Sequence, residues 1–233
     1  SSWLEKMRND VINGKKIVIP SNSKTEARFV DEFLKRNCSN IRTKMYSGET
    51  KQSEKDLHFS DVKKYWMKYD VLIYTPTVSA GISFEEVYFD KLYGFFTDTS
   101  CEIETCRQML GRVRNLNDKE YNLCLSGVKK TLPVNSENIK KMIFHRRKTL
   151  FKEIGTGTVS FDYNQDGTLN FYKTSYFDVW VETLKLVHLS KNDFIMRFIN
   201  QVADTGAKLS YMGLCDEAEE MADSRKEIKK IFY

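Results

Sequence analysis

Gln108-Met109-Leu110-Gly111-Arg112-Val113-Arg114 places a carboxamide, a glycine and two guanidiniums within seven residues. A guanidinium is always charged and offers a planar fork of donors, which suits it to negative charge developing on a transferred phosphoryl group. Gly111 leaves room for close approach of a ligand. The stretch reads as the start of a helix, on which positions i and i+2 do not share a face, so Arg112 and Arg114 are expected to fan apart and grip a polyphosphate from different sides. The competing account of the same residues is a solvated basic helix, since short motifs recur by chance.

Two polar stretches could hold phosphate in another way. Ser21-Asn22-Ser23-Lys24 and Thr75-Pro76-Thr77-Val78-Ser79-Ala80-Gly81-Ile82-Ser83-Phe84 combine short hydroxyl and amide donors with one lysine and one glycine. Such groups position a backbone without reading bases. The first stretch is equally a helix N-cap loop, and both roles can hold together.

The elements that must position these groups follow from periodicity. Lys15 to Pro20 is β-rich, Glu26 to Arg36 carries Ala27, Val30, Phe33 and Leu34 at helical spacing, and Ile41 to Tyr46 reads as a strand before a polar, aromatic helix reaching Lys68. Asp70 to Tyr74 is a near-continuous apolar run of the kind buried on both faces of a parallel sheet. Val87 to Phe96 and Tyr121 to Leu125 are further strands, with a helix over Glu102 to Val113 between them. Strands alternating with helices predict an α/β fold with ligands at the carboxyl ends of the strands. Beyond Pro133 the pattern changes to a helix over Asn135 to Glu153, a hairpin around Asp166-Gly167, and helices near Tyr176 to Leu189, Asp193 to Asp204 and Asp216 to Lys230. Domains are therefore expected over residues 1–133 and 134–233.

Length and composition exclude several classes. The 233 residues are 41% hydrophobic and 13% aromatic, enough for a core. No run approaches the roughly 18 to 20 apolar residues of a membrane span, so a soluble, intracellular protein without membrane partners is expected. Five cysteines at unpatterned spacings and three histidines support neither a disulfide framework nor a metal site. The net charge of +5 permits a nucleic-acid partner without demanding one.

In order and spacing, Ile17 to Thr25, Val71 to Phe84 and Gln108 to Arg114 resemble motifs IV, V and VI of a superfamily 2 helicase, in its second RecA-like lobe. The latter two runs are most similar to viral replication helicases of the herpesvirus origin-binding-protein type. The resemblance implies a RecA-like parallel-sheet sandwich followed by a mainly helical extension with a β-hairpin. It implies that Ser21, Asn22, Ser23, Lys24, Thr75, Thr77 and Ser79 contact a single strand of nucleic acid, expected to be DNA. Gly81, Ser83 and Gly111 would line the nucleotide cleft, with Gln108 by the γ-phosphate and Arg112 and Arg114 as fingers. Many relatives have Asp where Ser83 stands, and many place the second arginine one residue later, where this chain has Asn115. ATP with Mg2+ would be bound mainly by a first RecA-like lobe of the same parent chain, because no Gly-x-x-x-x-Gly-Lys-Ser/Thr loop occurs here. The expectation is thus a piece of a larger helicase, inactive by itself; if viral, it works in the cytoplasm or nucleus of the host cell. The alternatives are a nucleic-acid-binding or assembly module without motor activity, and an RNA remodeller or translocase of the same superfamily.

Three signals are set aside. Asp216-Glu217-Ala218-Glu219 imitates a magnesium-binding helicase motif but runs into a charged helix. Asp162 to Gly167 copies half of a calcium loop, yet Lys173 stands where a bidentate Glu is required. Asn37-Cys38-Ser39 is a chance sequon.

Overall fold

The computed structural model describes residues 3–78, 81–145, 160–163, 169–172 and 175–212. Five parallel strands, β1 (Ile17–Pro20), β2 (Thr43–Tyr46), β3 (Val71–Tyr74), β4 (Lys91–Thr97) and β5 (Glu120–Ser126), form one sheet in the order β2-β3-β1-β4-β5. This is the expected α/β arrangement with a parallel sheet, and β1 and β3 are fully buried along their length. Because all five strands run the same way, the loops that follow β1, β2, β3 and β4 share the carboxyl edge.

Pro20 has no N–H to donate, and its position in a central strand leaves a mark on the ladder. β1 pairs β4 at Ile17↔Lys91 and Val18↔Leu92, then regains it only at Ser21↔Phe95. The same register places Gly94 opposite Pro20. A Cβ at Gly94 would come within 2.8 Å of both Leu123 Cδ2 and Phe96 Cε2.

Alternation within the strands divides the core. Ile17, Ile19, Val71, Ile73 and Tyr93 pack under helices α1 (Trp3–Ile12) and α2 (Lys24–Asn37), which contribute Leu4, Met7, Val11, Ala27, Phe29, Val30, Phe33 and Leu34. α1 carries its apolar residues at i, i+3 and i+7, and Trp3 Nε1 fastens it to the Asn122 carbonyl at 2.9 Å. The other face is aromatic: Trp66 stacks on Tyr74 and Phe84 with ring centroids 6.2 and 5.8 Å apart, and Phe84 meets Phe89 edge-on.

Several elements depart from the sequence reading. The polar helix expected up to Lys68 is two helices, α3 (Gln52–Ser60) and α4 (Val62–Trp66), broken at Asp61, whose side chain accepts from the Lys64 amide and caps α4. The strand expected from Val87 begins only at Lys91. α5 (Ile103–Leu110) ends before the arginines, which therefore do not ride on a helix. Gly111 is its C-cap: its N–H turns back to carbonyls of the last turn, the Arg112 amide does the same to Met109, and the chain then bridges to Phe84 at Val113.

By contact density the chain forms two compact units, residues 1–127 with 198–233, and Val128–Arg197. The first regains the chain at α8 (Phe194–Ala203) from Phe198 on. Phe198 stacks on Phe96 with centroids 5.5 Å apart, and the Gln201 amide joins Arg107 and Glu104, each at 3.2 Å. The second unit contains α6 (Ser136–His145), the antiparallel pair β6 (Ser160–Tyr163) and β7 (Leu169–Tyr172), and α7 (Ser175–Asn192). Ile139 and Ile143 pack with Phe177 and Val181. The Asn192 amide clamps Leu132 through both its N–H and its carbonyl, at 2.7 and 2.9 Å. On the helix expected over Asn135 to Glu153, Lys140 is turned inward onto Asp178 at 3.3 Å, while Arg147, Lys148 and Lys152 lie outside the described residues. So do Ser79, the Asp166-Gly167 turn and the helix expected over Asp216 to Lys230. No helix among the described residues is long and apolar enough to cross a membrane.

Candidate functional site

β3 ends at Tyr74, and two contacts made just beyond it build the site. The Tyr74 hydroxyl donates to the Met109 carbonyl at 2.7 Å, tying the last turn of α5 to the carboxyl end of β3. Phe84 then forms a parallel bridge with Val113: the Phe84 amide donates to the Arg112 carbonyl at 2.7 Å, and the Arg114 amide to the Phe84 carbonyl at 3.0 Å. Val113 and Phe84 are completely buried. Arg112 still belongs to the turn that closes α5, its amide 3.2 Å from the Met109 carbonyl, and Arg114 follows the bridge.

The two guanidiniums have different surroundings. Arg112 is half-buried; its Nη1 lies 3.4 Å from the Ile82 carbonyl and its Nε is buried with no partner among the described residues. A buried guanidinium N–H left unpaired is costly, and an anion at this spot would satisfy it. Arg114 is exposed and pairs with Glu85 at 3.1 Å, and Glu85 also accepts from the Ser83 hydroxyl at 3.4 Å. An exposed pair of this kind contributes under about 1 kcal/mol, so Glu85 holds Arg114 only loosely. Gly81, at φ +96°, is exposed with nothing within 4 Å of where a Cβ would stand. Gln108 and Gly111 are exposed at the end of α5. These groups fit an anion of phosphate type: one unpaired buried donor, one loosely held cation and an open glycine backbone.

Burial sets Tyr74 apart as the positioning group. It pushes the phenol's pKa far above its ordinary range, although the nearby Arg112 charge opposes this. The hydroxyl therefore remains a donor to Met109 at any ordinary pH.

Of the groups expected on the strand track, the structure brings some to the surface and holds others inside. Asn22 is buried, its Nδ2 donating to the Thr97 carbonyl at 2.7 Å and its Oδ1 accepting from the Thr97 amide at 2.9 Å, so its amide clamps the end of β1 to the end of β4. Ser21 is buried, with its hydroxyl turned to Ser23 O at 3.1 Å. Ser23 caps α2 by accepting from the Glu26 amide at 3.3 Å. Lys24 is exposed and paired at 2.9 Å with Glu49, which also meets Arg28; hydrogen bonds from Lys24 and then Arg28 hold the Glu49 carboxyl below its usual range. Thr75 is buried, its amide 3.0 Å from the Tyr46 carbonyl. Thr77 lies with Ile82 in an open groove of about 510 Å³ against Lys55, Asp56 and Phe59 of α3.

Tyr74 and Glu85 escaped the sequence reading as functional residues. Tyr74 was hidden as one more apolar strand residue. Glu85 carried a usable signal, a carboxylate two residues after Ser83 in a loop expected to line a nucleotide cleft.

Comparison with known proteins identifies the family. The family model described as "Origin of replication binding protein" matches residues 3–135. A protein of African swine fever virus named for the helicase/primase complex is 47% identical over 209 residues, 89% of this chain and 20% of the relative. The replication origin-binding protein of human herpesvirus 6A is 35% identical over 65 residues, 27% of this chain and 8% of that protein. Among solved structures, domain 2 of the DEAD-box helicase Mss116p, bound to an RNA duplex, aligns with TM-score 0.39 and 12% identity, covering 89% of this chain and 88% of that one. The chain spans about a fifth of the length of the viral helicase/primase relatives it matches.

Proposed function

The chain belongs to the origin of replication binding protein family, and on that premise we propose that it is the second motor lobe of an ATP-dependent helicase acting in viral DNA replication. One observation carries the reading: the Phe84–Val113 bridge, which sets the Gly81 to Ser83 loop beside Arg112 and Arg114.

In this account the substrate is ATP, whose γ-phosphoryl group carries the charge that the fingers stabilise. Arg112 supplies its unpaired Nε–H and Nη1, and Arg114 exchanges Glu85 for a phosphate oxygen. Gln108 stands by to orient the attacking water. Mg2+ and the phosphate cradle come from a first RecA-like lobe of the parent protein, since the cradling loop is absent from this sequence. Lys24 and the N-terminal end of α2 offer one side of a single-strand track, with Thr75, Thr77 and Ser79 as its continuation. Replication is supported by the names of the viral relatives.

The test is ATP turnover by this chain alone, with and without single-stranded DNA. Turnover indistinguishable from the buffer blank is expected; measurable DNA-stimulated hydrolysis would overturn the assignment to a lone second lobe.

A further inference from the structure

Two thiols that the motor account does not use meet at the amino end of α5. Glu102 is the N-cap of this helix, so Cys101 stands at the position before the cap and Cys106 at the fourth helical residue. Side chains at these two positions meet across the first turn, the geometry of the hydrophobic staple. Cysteine fills both, and their sulfurs are 3.7 Å apart and unbonded.

The surroundings hold them together. Asn22 Nδ2 donates to Cys106 Sγ at 3.4 Å, and Asn22 cannot turn away, because the same amide is bound at both ends to the Thr97 backbone. Cys106 is buried, while Cys101 keeps partial access to solvent. Their chemistry differs accordingly. The hydrogen bond from Cys106 draws the Cys101 thiol down against the pull of burial, while the contact with Cys101 and then burial push Cys106 up. Two alkyl side chains would staple the helix equally well, but only two thiols can exchange their hydrogens for a bond.

We propose that Cys101 and Cys106 are a modification site, forming a reversible disulfide with a two-electron oxidant of the hydroperoxide class. The Cys101 thiolate attacks a peroxide oxygen, the O–O bond breaks, and the departing hydroxide is protonated to water, leaving Cys101 as a sulfenic acid. Cys106 sulfur then bonds to Cys101 sulfur, its proton passes to the sulfenic oxygen, and the S–O bond breaks to release a second water. One hydrogen peroxide becomes two waters as two thiols lose two electrons; a thiol reductant reverses the step by exchange. Closure brings the sulfurs from 3.7 Å to about 2.05 Å and loosens the contact of Cys106 with Asn22.

The experiment is peptide mapping of the reduced chain after graded hydrogen peroxide at pH 7, with free thiols then alkylated in denaturant. Trypsin, cutting after Lys91 and Arg107, leaves both cysteines in the single peptide 92–107. The expected result is loss of two hydrogens from that peptide and resistance to alkylation, both reversed by dithiothreitol, before Cys38 or Cys124 changes. Maleimide labelling of the reduced chain should be roughly tenfold faster at Cys101 than at Cys38 at pH 7. With Cys106→Ser, the sulfenic acid of Cys101 should persist and react with dimedone. Two alkylated thiols or a sulfinic acid in peptide 92–107, with Cys38 or Cys124 oxidised first, would overturn the proposal; this wild-type map depends on no variant's folding.

Discussion

At the scale of the residue, the account turns on two guanidiniums with unlike attachments. Among the described residues, Arg112 has a buried Nε without a partner, while Arg114 is held by an exposed carboxylate. In the intact parent protein, Glu85→Gln should release Arg114 and tighten nucleotide binding by up to about fivefold, the equivalent of a surface pair worth under about 1 kcal/mol. Titration with a fluorescent ATP analogue checks this, and an unchanged or weaker Kd would remove Arg114 from the nucleotide site. On the strand side, Lys24 is the accessible cation of its loop, already shared with Glu49. Lys24→Ala should weaken binding to unrelated single strands alike and reduce the salt slope by roughly one counterion. A loss confined to one sequence would mean base readout instead. The types of these residues were legible in the sequence. Their availability was not: nothing in Ser21-Asn22-Ser23-Lys24 says that the asparagine amide is consumed by Thr97, a strand 75 residues away.

At the scale of the element, the strands were legible because a parallel strand buried on both faces must be apolar almost without interruption, as Ile17 to Pro20 and Val71 to Tyr74 are. The end of α5 was not. Met109 and Val113 continue a helical spacing, so periodicity carried the helix through Gly111, whereas the Phe84 backbone offered Arg112 and Arg114 bridge partners. α1 went unread although Leu4, Met7 and Val11 had the right spacing. Two predictions belong here. Gly94→Ala forces a methyl within 2.8 Å of Leu123 and the buried Phe96 ring; overpacking of this kind costs about 1 to 3 kcal/mol, read as a lower urea midpoint. Tyr74→Phe removes the tie between β3 and α5 at a cost of about 1 kcal/mol in stability. In the parent protein its larger effect should fall on ATP turnover, because it frees the segment that carries Arg112. Full turnover with reduced stability would reduce Tyr74 to a packing residue.

At the scale of the whole molecule, burial of three phenols predicts an alkaline limit. Burial is the first cause raising the pKa values of Tyr46, Tyr74 and Tyr93 in the folded chain, whereas an unfolded tyrosine ionises near about 10. Above that pH the unfolded chain loses protons that the folded chain keeps, so stability is intact below about pH 10 and falls as pH rises beyond it. Melting temperatures measured from pH 7 to 11 should stay level and then drop; a level profile to pH 11 would contradict the burial of these hydroxyls. The order of motifs along 1–133 made the sheet and its carboxyl edge readable at this scale, while the return of Phe198 and Gln201 to the first unit rests on contacts no local pattern announces. The central claim is that this chain lends a neighbouring lobe its fingers. Its most direct test is ATP hydrolysis at saturating nucleotide by the intact parent protein carrying Arg112→Ala or Arg112→Lys, with nucleotide affinity measured in parallel. The account predicts turnover lower by about 10³ to 10⁵ with affinity nearly unchanged, and no rescue by lysine, whose point charge lacks the fork. Turnover near wild type in Arg112→Ala would contradict it.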